Sequence, residues 1–112
     1  MHLEITSKCV DKAIVIYVDG DLTTNSCPLA EAEINEILEG TDDNVVINVK
    51  KVNFIASTGL RIILVLGKRL NKDGLKLIMC SMNDTTESVF KISGFSKLFP
   101  IFETEEEALE SL

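Results

Sequence analysis

Apolar residues change their spacing along the chain in a regular way. Ala13-Ile14-Val15-Ile16-Tyr17-Val18 is a dense, largely β-branched run that ends at Asp19-Gly20, a turn signal. Val45-Val46-Ile47-Asn48-Val49 is a second strand-like run, entered through the turn-rich Gly40-Thr41-Asp42-Asp43-Asn44. Leu75-Lys76-Leu77-Ile78-Met79-Cys80 is a third, directly after Gly74. The opening Leu3-Glu4-Ile5-Thr6 alternates apolar and polar residues, as an edge strand does. Between the runs the period becomes helical. Ala30, Ile34, Ile37 and Leu38 share one face, with Pro28 near the start and Gly40 just past the end. Leu60, Ile63, Leu64 and Gly67 repeat the pattern in a helix that runs to about Lys72. A third helix starts at Asp84-Thr85-Thr86-Glu87, with Asp84 as an acidic cap. Thr104-Glu105-Glu106-Glu107 is a capping-box signature ahead of Ala108, Leu109 and Leu112.

Strands alternating with helices predict crossover units in one α/β domain over residues 1–112. The expected architecture is a mainly parallel mixed β-sheet of four or five strands packed with about four α-helices. A length of 112 residues and a 46% hydrophobic content suit one globular core. The net charge of −7, without a basic block, argues against nucleic acid as a partner. No apolar run approaches the roughly 20 residues of a membrane span, and Met1-His2-Leu3-Glu4-Ile5 does not read as a secretory signal. A cytoplasmic domain without membrane contact is expected.

Catalytic templates are hard to fill. The chain has neither G-x-x-x-x-G-K-[ST] nor G-x-G-x-x-G, so no phosphate cradle is signalled. His2 is the only histidine, which leaves a Ser-His-Asp or Cys-His arrangement without a base. Cys9, Cys27 and Cys80 are too far apart for a zinc site and are expected to be reduced, buried and apolar in behaviour. No enzyme, metal or cofactor is expected. Phe95, Phe99 and Phe102 read as packing residues.

One segment does carry chemistry. In Val52-Asn53-Phe54-Ile55-Ala56-Ser57-Thr58-Gly59-Leu60, an apolar strand end meets two hydroxyl residues, a glycine and a helix start. Ser57 is placed as the N-cap and Thr58 as the first helical residue. Gly59 adds no side chain, so another surface can approach. A phosphoryl group there would add about −1.5 to −2 charges, held by free backbone N–H groups and the helix dipole. The following helix has a second apolar stripe, Ile62, Val65 and Leu66 with Arg69, either buried or offered to a partner. Arg61 lies between the stripes, one turn from Thr58, suited to a carboxylate or phosphate. Asp21 and Thr23 stand beside this turn if their strands are neighbours.

Ala56-Ser57-Thr58-Gly59-Leu60 resembles the D-S-S-G-L signature of the STAS domain family, which includes bacterial anti-sigma factor antagonists. Val18-Asp19-Gly20-Asp21-Leu22-Thr23 resembles the family's G-E-L-D turn. Asp73-Gly74-Leu75-Lys76-Leu77, Val89 to Phe95 and Glu106-Glu107-Ala108-Leu109 are similar to its later segments, so the likeness covers nearly the whole chain. The resemblance implies a phosphoacceptor just before the glycine, at Thr58, with Ser57 as second choice. It also implies a docking surface on Ser57, Gly59, Arg61, Ile62 and Val65, with Asp21 and Thr23 alongside. The implied partners are an anti-sigma factor with serine/threonine kinase activity and a serine/threonine phosphatase. Phosphorylation would switch off the complex that releases a sigma factor. Ala56 and Thr23 stand where the family has Asp. The alternative is a phosphorylation-independent STAS scaffold or small-ligand module.

Overall fold

In the computed structural model, residues 2–11 and 13–112 are described. The elements run β1 (Glu4–Val10), β2 (Ala13–Asp19), α1 (Cys27–Leu38), β3 (Asn44–Lys51), α2 (Ser57–Lys72), β4 (Leu77–Cys80), α3 (Asp84–Ser93), β5 (Ile101–Phe102) and α4 (Glu105–Glu110). The sheet order is β1-β2-β3-β4-β5. β1 is antiparallel to β2, and the other pairs are parallel. The expected mixed α/β architecture is the one observed.

Side-chain alternation on the central strands builds two layers. Ile14, Ile16, Val18, Val45, Ile47, Val49, Leu77 and Met79 pack with buried residues of α1, α2 and α3 in the main core. On the opposite face Val15, Val46, Ile78 and Cys80 meet Ala108 of α4. Successive crossovers β2-α1-β3 and β3-α2-β4 step the same way across the sheet, and right-handed connections then put α1 and α2 on one face.

Several boundaries differ from the sequence pattern. β1 extends from Glu4 to Val10, paired with β2 along its whole length. Most of its side chains are exposed, so no apolar period marks Ser7 to Cys9. Cys9 is exposed on this edge strand, unlike buried Cys27 and Cys80. Burial pushes the Cys80 thiol up to about 11, so it stays protonated. β4 starts at Leu77, where pairing with Val45 begins. Leu75 still donates its N–H to Leu70 O, closing α2. The cap of α3 is Asn83, whose side chain accepts from Thr86 N, and Asp84 lies inside the helix. The Thr104–Glu107 capping box forms in both directions.

Glu105 ties α4 to the sheet. Its carboxylate meets Lys8 Nζ at 3.3 Å and accepts from Asn48 Nδ2 at 3.2 Å. Burial pushes its pKa up, but hydrogen bonding from Tyr17, Asn48 and Lys8 and the Lys8 charge outweigh that, leaving it below its ordinary 4.5. A lowered carboxylate pKa stabilises the fold above the ordinary value, and that stability is lost as pH falls through the folded one. Glu105→Gln is therefore expected to flatten the fall in Tm below about pH 4.5. With Lys8 half-exposed, the cost at pH 7 should stay under about 1 kcal/mol. Thermal melts across the acid range test this, and an unchanged acid limb would contradict it.

Candidate functional site

The site is built where two parallel strands end together. Past the end of β2, Leu22 forms a parallel bridge with Ile55, beyond the end of β3. Leu22 N donates to Phe54 O at 3.0 Å, and Ala56 N donates to Leu22 O at 2.7 Å. The Asp21 carboxylate accepts from the backbone N–H groups of Asn53 and Phe54, at 2.9 and 3.1 Å. Thr23 is locked with Ser26: Ser26 N donates to Thr23 Oγ1 at 3.1 Å and Thr23 N to Ser26 Oγ at 2.9 Å. Asp21 and Thr23 thus flank Leu22 beside the first turn of α2, where β2 and β3 as neighbours bring them.

That stitching moves the helix start by one residue. The bridge keeps Ala56 extended, at φ −76° and ψ 167°, and α2 begins at Ser57. Ala56, not Ser57, is therefore the N-cap, and no side chain caps the helix. Ser57 is exposed as the first helical residue and Thr58 is half-buried as the second. Among the described residues no acceptor faces their two backbone N–H groups. Ala56 already has a cap-compatible backbone, so Ala56→Asp is expected to raise stability by about 1 kcal/mol. Urea unfolding tests this, and no gain would mean these N–H groups are already satisfied.

Gly59 has a different reason from the expected one. It is buried, and a Cβ there would lie 2.8 Å from Ile55 Cγ2 and 3.1 Å from Leu22 Cβ. The close approach is internal to the chain rather than an opening for another surface. Cys27, the first residue of α1, is 3% exposed and lies beside it. The Thr58 hydroxyl donates to Cys27 Sγ at 3.4 Å. Nothing in the sequence pattern pointed to that contact, since the two residues are 31 positions apart.

Outward of this turn lies a surface with both apolar and cationic character. Arg61 is exposed and forms no ion pair among the described residues. Val65 is 54% exposed, Ile62 half-buried and Leu66 buried, so the second stripe divides between core and solvent. Together with Glu31, Ile34 and Asn35 of α1 these side chains line a shallow groove between the helices. Arg69 Nη1 donates to Asn35 Oδ1 at 3.1 Å across it. Elsewhere Phe54 and Leu29 are exposed apolar residues that periodicity does not single out, at 51% and 41%. Phe54 follows from its neighbour: Ile55 takes the inward position, which turns the adjacent aromatic outward.

Comparison with known proteins decides the family. Residues 4–108 match the STAS domain. The chain belongs to the STAS family. It is 25% identical over 113 residues to the anti-sigma F factor antagonist of Paenibacillus polymyxa, covering 100% of this chain and 97% of that one. An anti-sigma factor antagonist from Mycobacterium paratuberculosis has the same fold, with a TM-score of 0.88 at 22% identity. That superposition spans 98% of this chain and 93% of the other. SpoIIAA in its unphosphorylated form aligns over 96% of this chain and 95% of its own, with TM-score 0.79 and 22% identity. The phosphorylated form of SpoIIAA, from Bacillus, aligns at TM-score 0.70 and 20% identity over 98% of each chain. In this STAS domain Asp21 and Thr23 lie beside the turn that carries Ser57, Thr58 and Gly59, while Arg61, Ile62 and Val65 follow further along α2. No helix among the described residues is long and apolar enough to cross a membrane.

Proposed function

We propose that this STAS domain is an anti-sigma factor antagonist, a binding regulator rather than an enzyme, switched by phosphorylation of Thr58. The observation that carries this reading is the position of Thr58, second in α2, beside unbonded N–H groups and an exposed apolar and cationic surface. The unmodified turn, with Ser57, Arg61, Ile62 and Val65, docks an anti-sigma factor that is also a serine/threonine kinase. Asp21 and Thr23 brace the turn from the β2 side. A phosphoryl group on Thr58 Oγ1 would be held by the N–H groups of Ser57 and Thr58 and by the dipole, with Arg61 one turn away. The fold need not open. The added charge instead lies at the centre of the docking surface, and a phosphatase restores it. Support comes from the antagonist names of the relatives and from the existence of SpoIIAA in both phosphorylation states.

A second reading has its own observation. The Thr58 hydroxyl points inward to Cys27, and the acidic cap of the family signature is Ala56 here. Both favour a phosphorylation-independent binding module. Phosphosite mapping by tandem mass spectrometry on the protein purified from its native host, growing and stressed, separates the two. Phosphate at Thr58 in one condition supports the switch; phosphate only at Ser57 moves the acceptor. None in either condition favours the second reading.

A further inference from the structure

A cleft at the far end of α2 arises from a shortfall of the sheet. β5 pairs only with Met79 and Cys80, so the first half of β4 has no strand beside it on that edge. The space left is a cavity of about 510 Å³, within the range of small-molecule sites. One wall is the α2 stripe of Leu64, Gly67, Lys68 and Asn71, at i, i+3, i+4 and i+7. The facing wall is Leu98, Phe99 and Phe102, over Leu77 and Ile78. Phe99 packs on Gly67 so closely that a Cβ there would overlap its ring, which fixes the spacing of the walls. Leu98 stands at the mouth, 60% exposed, where a large apolar side chain gains nothing from water.

The charge of this cleft is opposite to that of the chain. The net charge is −7, yet residues 44–72 hold six basic residues and no acidic one. Lys68 and Lys76 line the cleft, no carboxylate does, and neither lysine is ion-paired among the described residues. Lys76 is pinned by its backbone: its N–H donates to Asn44 Oδ1 at 2.8 Å and its carbonyl accepts from Val45 N at 2.9 Å. Lys76 is itself exposed and lines the cleft. Asn71 and Ser111 add hydrogen-bonding groups.

We propose that this cleft binds a free amphiphilic monocarboxylate, its apolar chain between Leu64, Leu98 and Phe102 and its carboxylate between Lys68 and Lys76. An apolar trough with two unpaired ammonium groups and no competing carboxylate recognises that combination of tail and head. The site is separate from the Thr58 turn and does not depend on the switch.

Decanoate, below its micelle concentration, is the probe, followed by amide chemical shifts of the full chain. Saturable shifts at Gly67, Lys76 and Leu98, matched by Thr58→Ala, are expected. Decanol should bind at least about tenfold more weakly, as should decanoate to the Lys68→Glu/Lys76→Glu variant. All three substitution sites are exposed, so that variant and Leu98→Glu should keep the wild-type Tm, and Leu98→Glu should also lose binding. Scattered or absent shifts, equal binding of decanol, or unchanged binding by the double variant would overturn the proposal. So would self-association through the cleft that excludes decanoate.

Discussion

Phe90→Ala is expected to destabilise this domain by about 3–5 kcal/mol. Phe90 is fully buried and among the largest side chains in the core. Its ring stands edge-on to Phe95 at 5.8 Å, and Phe95 meets Phe99 at 6.1 Å. Phe99 in turn packs on Gly67 of α2, so three rings join α3 to the helix that carries the site. Truncation removes transfer energy, leaves a cavity and breaks that chain of contacts at its inner end. Against a typical total of about 5–15 kcal/mol, the variant would lie close to unfolding. Urea denaturation gives the number from the midpoint shift at constant slope. A loss under about 1 kcal/mol would mean that α3 repacks and that the three rings do not act together.

The second large effect is on association. Thr58→Glu is expected to weaken partner binding by about 100-fold or more, while Thr58→Ala changes it by less than about threefold. A carboxylate at this half-buried position must be desolvated when a partner covers the turn. An unmatched charge at an interface costs several kcal/mol, against about 1 kcal/mol for the neutral hydroxyl contact to Cys27. Neither substitution should unfold the chain. Glu near a helix N-terminus is favourable to the dipole, and removal of the Thr58 hydroxyl leaves no buried carboxylate or amine without a partner. A Thr58→Glu protein that melts like wild type but fails to bind separates a switch effect from loss of fold.

The strands and helices were legible where one face is buried and the period is clean, as in Ile14 to Val18 and Ala30 to Leu38. Legibility failed where backbone pairing rather than side-chain burial sets the structure. β1 continues through exposed Ser7, Lys8 and Cys9 because β2 offers hydrogen bonds, and β5 is two residues fixed by β4. The turn before α2 was found from its hydroxyls and glycine, and its likeness to the family's signature named Thr58. Which residue caps the helix was not readable, since the Leu22–Ile55 bridge that holds Ala56 extended is a tertiary contact. The same holds for Gly59, whose small size answers to Ile55 and Leu22, and for Cys27 under Thr58.

Affinity capture from a lysate of the native host, with wild type, Thr58→Ala and Thr58→Glu side by side, tests the Thr58 switch. Wild type and Thr58→Ala should retain one protein with an ATP-binding kinase fold, identified by mass spectrometry, and Thr58→Glu should lose it. Retention of the same partner by Thr58→Glu, or its loss from folded Thr58→Ala, would mean that Thr58 is not the switch.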